Sequence, residues 1–359
     1  MVESGDGREG LQLLHGRHAK FLKRTLDVLP SSLCSYDTQR VTIAYFAVSG
    51  LDLLDRLDLV QEQLPAITGW LYSCLVSPRP GHTEHLSPAL LAQCGFRGSP
   101  ALKLPSSSNL PSHAWDHGHI AMTYTALASL LVLGDDLGRV DRVAFAAGIR
   151  ALQLPDGSFR AALEGGENDM RFLYCAAAIC YMLDCWEGMD TEAALGYVIS
   201  SFSFEGGVGQ GPGLEAHGGS TFCAVAALSL MGRLGELGPE RLTGLERWCV
   251  MRQAEGFMGR PNKPEDTCYS FWVGATLQLL SRLELCDWPA SRRFVLSTQD
   301  PVTGGLAKWA DTQPDPLHTY LGLSGLALQG EPGLRALQPA LNISQRAAEW
   351  LHNVQQTWT

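Results

Sequence analysis

Apolar and polar residues follow helical spacing along most of this chain, with no sustained period-2 alternation. Some segments are apolar on nearly every side, including residues 168–182, 217–231 and 266–280. Others are amphipathic, such as 190–200 and 239–253. A helix that is apolar all round must be buried, whereas an amphipathic helix covers a core with one face. The pattern therefore predicts an all-α protein with an inner and an outer set of helices.

Glycine turns repeat at intervals of 49 residues in the second half of the chain. The turns DGSF, GGVG, EGFM and GGLA carry the apolar residues Phe159, Val208, Phe257 and Leu306. Each turn joins an amphipathic segment to an apolar one, so the repeat unit is a helix pair. Two less regular pairs precede them, and a proline- and serine-rich connection at about 78–115 interrupts the second. About six such pairs, with inner helices rich in aromatic residues, predict an α/α toroid around a central cavity.

The composition of the chain narrows the range of possible functions. The chain has 359 residues and a net charge of −10, which gives no electrostatic basis for binding nucleic acid. No apolar run is long enough to cross a membrane, and the N-terminus lacks a signal pattern. Ten scattered cysteines suit reduced thiols in a cytoplasmic protein. We expect a polar, disordered arm at 1–10 and one domain at 11–359.

The repeat register brings possible metal ligands together. Equivalent positions of stacked units become neighbours, and those nine, eleven and twelve residues after the turn residues form one layer at the first turn of the buried helices. Asp266, Cys268 and His318 lie in this layer on two adjacent units. Carboxylate, thiolate and imidazole groups together bind zinc and leave a position open. Taken singly, the three residues have plainer interpretations as a helix cap, a buried thiol and a core histidine.

Cationic and aromatic residues accompany the layer. A positively charged group beside helix N-termini favours a phosphate or diphosphate, although an exposed basic loop is the simpler interpretation. The cations are Arg260, Lys263 and Lys308, and His217 and Tyr269 lie in the layer beside them. The aromatic residues of the inner helices are usual in a core, but beside such a rim they also suit a pocket for a long apolar ligand.

Several stretches resemble the repeats of protein prenyltransferase β subunits. They are ENDMRFLYCA, EAHGGSTFC, GRPNKPEDTCYSFWVGA, GGLAKW and DPLHTYLGLSGL. The resemblance extends from about Leu11 to Trp358 and is greatest to the geranylgeranyltransferase type I branch. It implies an α/α barrel with a central lipid pocket, paired with a helical α subunit.

The resemblance also implies roles for single residues. The expected zinc ligands are Asp266, Cys268 and His318. The expected diphosphate group is His217, Arg260, Lys263 and Tyr269. Lys308 stands where the type I enzymes carry a lysine in place of a magnesium site, so magnesium is not expected to be required. The lipid-pocket positions are Thr42, Phe46, Tyr124, Arg171 and Trp272. The positions near the last residue of the peptide are His119, Ala121, Phe172 and Leu317.

The implied reaction transfers a geranylgeranyl group from geranylgeranyl diphosphate to the cysteine of a C-terminal CaaX motif. Leucine is commonly the last residue, and the implied substrates are small GTPases of the Rho, Rac and Rap kind. Thr42 replaces a tryptophan of farnesyltransferases, and this smaller side chain leaves depth for a fourth isoprene unit.

Other functions stay open from the sequence alone. One is a farnesyltransferase-like or Rab-type β subunit, and another is a non-enzymatic helical scaffold that binds peptides. A terpene cyclase or an α/α-barrel glycosidase would need acidic clusters. The pair Asp135 and Asp136 is the one suggestive case, and its place at a helix end beside glycine favours capping.

Overall fold

The computed structural model describes residues 11–29, 31–78, 86–102 and 117–358. The predicted arm at 1–10 and part of the connection at 78–115 lie outside these residues. The described helices, numbered in chain order, are α1 His15–Asp27, α2 Arg40–Leu53, α3 Leu64–Ser73, α4 Pro88–Leu91, α5 Ile120–Val132, α6 Arg142–Leu152, α7 Met170–Leu183, α8 Thr191–Ser200, α9 Gly218–Leu230, α10 Gly238–Val250, α11 Tyr269–Leu279, α12 Trp288–Ser297, α13 Pro316–Leu328 and α14 Gln345–Gln356.

Six helices form a closed inner ring. α2, α5, α7, α9, α11 and α13 each pack against the next, and α13 packs against α2. The amphipathic partners α1, α3, α6, α8, α10 and α12 precede these helices in the chain. The predicted α/α toroid with about six helix pairs is therefore confirmed. None of the helices in the described ranges combines the length and apolar character that crossing a bilayer requires.

The repeat turns explain why the units stack in register. Gly157 and Gly206 have φ of 89° and 97°, which glycine adopts without strain. The Val208 N–H donates to the Thr221 hydroxyl at 3.0 Å, and the Leu306 N–H donates to that of Thr319 at 2.9 Å. The turns at Val208 and Leu306 are thus held against the starts of their inner helices. The residues that follow the turns consequently gather at one end of the ring, here called the mouth.

Short strands are present although the sequence shows no strand pattern. Three antiparallel pairs occur in the described residues: β1 Leu75–Val76 with β2 Gly95–Phe96, β3 Arg160–Ala162 with β4 Gly165–Asn168, and β5 Leu337–Gln338 with β6 Ile343–Ser344. Strands of two to four residues are too short to give a period-2 signal.

The end opposite the mouth, here called the closed end, is filled by the turn between β5 and β6. Tyr45 and Tyr320 donate to the Asn342 carbonyl at 2.5 Å each. Tyr124 donates to the Leu341 carbonyl at 2.8 Å, and Tyr174 to that of Ala340 at 3.0 Å. The turn carbonyls are therefore satisfied by hydroxyls from four inner helices.

Candidate active site

The mouth carries the N-terminal ends of the inner helices, where unpaired N–H groups and the helix dipole favour negative charge. His217 and Asp315 are the N-cap residues of α9 and α13. Asp266 and Cys268 were expected on the first turn of their helix, but α11 begins at Tyr269. They precede it because the Asp266 carboxylate accepts from the Cys268 N–H at 2.9 Å and fixes a turn there.

Asp266, Cys268 and His318 converge as predicted. Their ligand atoms all lie within 4.8 Å of one another, and no other such group of His, Cys, Asp or Glu occurs in the described ranges. His318 Nε2 is 3.3 Å from Asp266 Oδ1. Because Asp266 and Cys268 come from one repeat unit and His318 from the next, the site requires the packing of α13 on α11.

Two neighbours fix these groups. Asp315 Oδ2 lies 2.6 Å from His318 Nδ1, which leaves Nε2 facing Asp266. A carboxylate behind a histidine ligand is the usual arrangement at metal sites. The Thr267 hydroxyl donates to the Ala307 carbonyl at 2.7 Å and ties the Asp266–Cys268 segment to the next unit. Asp315 stood in the predicted layer without a role, and Thr267 gave no sequence signal.

Two carboxylates favour a positive charge on His318, whereas the surroundings of Cys268 favour its neutral thiol. Burial opposes protonation of His318, but hydrogen bonds to Asp266 and Asp315 outweigh it and raise its pKa to about 9. Burial works to raise the pKa of Asp266, yet hydrogen bonds from His318 and Cys268 leave that pKa below its usual value. Burial, and then Asp266, raises the pKa of the Cys268 thiol well above normal. A proton on His318 thus lies where a metal would bind.

A hydroxyl and an imidazole form a directed pair beside this cluster. His217 Nδ1 accepts from the Gly219 N–H at 3.0 Å, so the proton of the neutral ring is on Nε2. Nε2 lies 2.9 Å from the Tyr269 oxygen and donates to it. Burial and then the Arg260 charge lower the pKa of His217, while burial raises the pKa of Tyr269. The Tyr269 O–H therefore remains available to donate to a ligand.

The cationic residues lie at the same end. Arg260 Nη1 pairs with Glu215 at 2.9 Å, a partner that the sequence analysis did not single out. Lys263 belongs to the same turn, since its N–H donates to the Arg260 carbonyl at 3.4 Å, and its side chain is exposed. Lys308 Nζ is 3.6 Å from Asp266 Oδ2. Lys308 thus lies beside the cluster, whereas Arg260 pairs with Glu215 and affects His217 and Tyr269 through its charge.

A cavity of about 700 Å³ opens beside α5 and α7. His119, Ala121 and Phe172, expected near the peptide, line it together with Arg171, which was expected in the lipid pocket. Asp169 pairs with Arg171 at 2.6 Å, and Glu167 also contacts it. Leu317, expected in the same group, is 36% exposed on the first turn of α13.

The remaining residues that were expected in the lipid pocket lie on inner helices. Thr42 donates to Met122 Sδ at 3.3 Å, and Phe46 packs on Tyr320 with ring centroids 6.0 Å apart. The Trp272 ring lies 5.2 Å from that of Phe222. Tyr124 is buried at the closed end. All six inner helices thus contribute aromatic rings to one continuous cluster.

Comparison with known proteins identifies the family. The model of the prenyltransferase alpha-alpha toroid domain matches residues 13–343.

The chain belongs to the prenyltransferase alpha-alpha toroid family.

Similar members of this toroid family are named type-1 β subunits. The chain is 40% identical to geranylgeranyl transferase type-1 subunit beta of Arabidopsis thaliana, over 92% of this chain and 89% of that protein. It is 38% identical to the protein of the same name from Dictyostelium discoideum, over 94% of this chain and 97% of that protein. The structure of Candida albicans protein geranylgeranyltransferase-I complexed with GGPP has the same fold, with a TM-score of 0.82, 24% identity and coverage of 96% and 99%.

Proposed function

We propose that this chain is the β subunit of protein geranylgeranyltransferase type I. It would transfer a geranylgeranyl group from geranylgeranyl diphosphate to the cysteine thiol of a C-terminal CaaX motif. The observation that carries the proposal is the Asp266–Cys268–His318 cluster, adjacent to cations at the mouth of an aromatic toroid. Relatives at 38–40% identity over most of their length carry this name.

The three donors fit zinc. One carboxylate, one thiol and one imidazole, with a second carboxylate behind the imidazole, form a usual donor set for a catalytic zinc site with an open position. Bound zinc would lower the pKa of the substrate thiol, so that a thiolate forms at neutral pH. Asp315 holds the His318 ring in the orientation needed, and Thr267 holds the other two ligands.

The neighbouring residues would stabilise the negative charge that builds on the departing diphosphate. Tyr269 donates an O–H because His217 already donates to its oxygen. Arg260 and Lys308 would contribute positive charge, and the family resemblance suggests that Lys308 replaces the magnesium ion of farnesyltransferases. Preorganised donors of this kind act most strongly where charge develops in the transition state.

Donor length would be set by the distance from the mouth to the closed end. Thr42 is small, and Phe46 and Trp272 are half-buried rings that an isoprenoid chain could contact. A twenty-carbon chain buried there gains about 0.8 kcal/mol for each CH₂-sized group. The cavity lined by His119, Ala121 and Phe172 would take the last residues of the peptide.

The proposed partners rest on the similarity to named type-1 β subunits. We propose a separate α subunit that completes the active site, and protein substrates among small GTPases with leucine at the C-terminus. Ten free cysteines, most of them buried, support action in the reducing cytoplasm. We treat 11–359 as one functional domain.

The rival cyclase interpretation loses its main support. Asp135 Oδ1 accepts from the Tyr72 hydroxyl at 2.5 Å and from the Leu137 N–H at 2.8 Å. This carboxylate is therefore committed to capping and to a tyrosine.

The test is lipid transfer by the chain purified with a co-expressed α subunit. We expect about one zinc per complex, and transfer of twenty-carbon in preference to fifteen-carbon donors to a CaaX peptide ending in leucine. Cys268→Ala should abolish both zinc binding and transfer while keeping the helix content. Cys286→Ala, which changes a half-buried thiol elsewhere, is the control. A wild-type complex without stoichiometric zinc, or one that binds CaaX peptides without transferring lipid, would contradict the proposal and favour the scaffold.

A further inference from the structure

The ammonium group of Lys308 lies between a carboxylate and an aromatic face. Its Nζ is 3.6 Å from Asp266 Oδ2 and 4.4 Å from the centroid of the Trp309 ring. The second distance is within the range of a cation–π contact, for which tryptophan is the best partner. Two chemically different neighbours therefore define where this charge stands.

The indole is itself fixed, although 41% of it is exposed. Trp309 Nε1–H donates to the Glu265 carbonyl at 2.7 Å. The Thr312 hydroxyl donates to the Trp309 carbonyl at 2.7 Å and accepts from its N–H at 3.4 Å. The ring is thus tied to the residue that precedes Asp266, and it forms a rigid platform at the mouth.

The backbone of Lys308 is anchored as firmly as the indole. Its carbonyl accepts from the Thr267 N–H at 3.2 Å, and the Thr267 hydroxyl donates to the adjacent Ala307 carbonyl at 2.7 Å. Only the four-carbon side chain can move, and 44% of it is exposed. Free lysine side chains have large rotamer entropy, so a fixed charge at this place needs a restraint.

Asp266 alone is a poor restraint. Its other oxygen faces His318 and the Cys268 N–H, and the residue is a candidate metal ligand. A carboxylate that shares its charge with a metal attracts the ammonium less. The indole face remains equally attractive whether or not a metal is bound.

We infer that Trp309 is a positioning residue, which holds the Lys308 ammonium over the place where the diphosphate leaves. The inference rests on the proposed function and assigns Trp309 no contact with the substrate. Its effect acts on the rate of transfer and leaves donor affinity unchanged, because Lys308 acts on charge that develops in the transition state.

The experiment compares variants of the co-expressed complex in single-turnover transfer, with donor affinity measured in parallel. Trp309→Leu removes the π face and keeps bulk, while Trp309→Phe keeps a face and loses the N–H. Lys308→Gln removes the charge. Trp358→Leu is the matched control. It also removes a cation–π contact, because the guanidinium carbon of Arg142 on α6 lies 4.5 Å from the centroid of the Trp358 ring. A second readout is NMR of the complex with lysine labelled with ¹³C at Cε. An aromatic ring above Lys308 shifts the resonance of its Cε methylene group upfield.

We expect Trp309→Leu to slow transfer about three- to tenfold, with donor affinity unchanged within about twofold, and Trp309→Phe to recover most of the loss. Adding Trp309→Leu to Lys308→Gln should slow transfer no further, since both act through one charge. The upfield resonance should disappear in Trp309→Leu and persist in Trp309→Phe.

The inference would be overturned by a Trp309→Leu complex with the wild-type rate, by additive losses in the double variant, or by the absence of an upfield Lys308 resonance in the wild type. These differ from failure of the proposed function, in which the wild-type complex transfers no lipid. A Lys308→Gln complex with the wild-type rate would remove the role of Lys308 and the inference with it.

Discussion

The two ends of the toroid contain similar polar groups but treat them in opposite ways. At the closed end, tyrosine hydroxyls are fully buried, and each donates to a carbonyl of the turn between β5 and β6. At the mouth, the Tyr269 oxygen accepts from His217. Among the described residues, no acceptor is found for the Tyr269 hydroxyl hydrogen. Satisfied groups stabilise the fold, whereas groups aimed at an open space are ready for a ligand.

Burial of charge follows the same division. Near the closed end, Asp52 is 1% exposed and accepts from Arg346 at 2.9 Å, which fastens the start of α14. At the mouth, Asp266 is nearly as buried, but its neighbours are a thiol, an imidazole and an ammonium that a metal or an anion could engage. The comparison implies that mutations at the closed end reduce stability, while mutations at the mouth reduce activity.

The largest expected effect comes from shortening the space between the two ends. Thr42→Trp places an indole about one helical turn before Tyr45 on α2. Excluding one five-carbon isoprene unit removes about 4 kcal/mol of burial, roughly a thousandfold in the preference for a twenty-carbon over a fifteen-carbon donor. The measurement is transfer with each donor, and Thr42→Ser is the control. A folded Thr42→Trp complex that keeps its twenty-carbon preference would disprove the depth argument.

The next effect is an exception to this division, because it concerns stability in acid but arises from a buried helix cap at the mouth. His119 caps α5 by accepting from the Ala121 N–H at 3.2 Å, and burial lowers its pKa to about 4. The unfolded chain binds a proton near pH 6.5 that the folded chain refuses until pH 4. Stability from this group is therefore present above pH 6.5 and decreases as the pH falls to 4, by up to about 3 kcal/mol.

His119→Asn keeps a capping side chain and removes this titration. Its free energy of unfolding in urea should decrease less between pH 7 and pH 4 than that of the wild type. His352→Asn, on the exposed face of α14, should follow the wild type. Identical pH dependence in His119→Asn and the wild type would show that His119 is not the group responsible.

A smaller effect tests the residue behind the imidazole. Asp315→Asn replaces a carboxylate by an amide, which supports a neutral ligand histidine less well, and should lower zinc affinity about 10- to 100-fold. Asp287→Asn is a matched control, because Asp287 is likewise the N-cap of its helix, α12. Competition with a chelator measures the affinities. Equal zinc affinity in Asp315→Asn and the control would remove Asp315 from the site.

The smallest effects compare one hydroxyl from each end. Tyr45→Phe removes a buried donor at the closed end and should cost about 1 kcal/mol of stability, with the transfer rate of folded complex unchanged. Tyr269→Phe should slow transfer about tenfold and change stability by less than about 0.5 kcal/mol. Urea unfolding and single-turnover transfer measure the two properties. A loss of stability in Tyr269→Phe together with a loss of transfer rate in Tyr45→Phe would contradict the division between a stabilising closed end and a catalytic mouth.

The repeat made much of this architecture predictable. A 49-residue period determines which residues share a layer. The sequence alone therefore predicted that Asp266, Cys268 and His318 lie together. The same period predicted four of the helix pairs, and the two less regular pairs before them brought the prediction to about six, because segments that are apolar all round can only be inner helices. Asp315 lay in that layer as well, so the signal for its role was present but needed the distance to His318 to be interpreted.

Other features depended on contacts between distant parts of the chain. The tyrosine hydroxyls at the closed end bond to carbonyls near residue 341, and no local pattern indicates such partners. The pairing of Glu215 with Arg260, the anchoring by Thr267 and the stacking of Lys308 on Trp309 likewise depend on side-chain direction across neighbouring units. Residue types and spacing thus determined which groups meet at the mouth. The tertiary structure alone decided which of those groups are committed to internal partners, because hydrogen bonds and ion pairs depend on distances of a few ångströms that spacing along the chain does not specify.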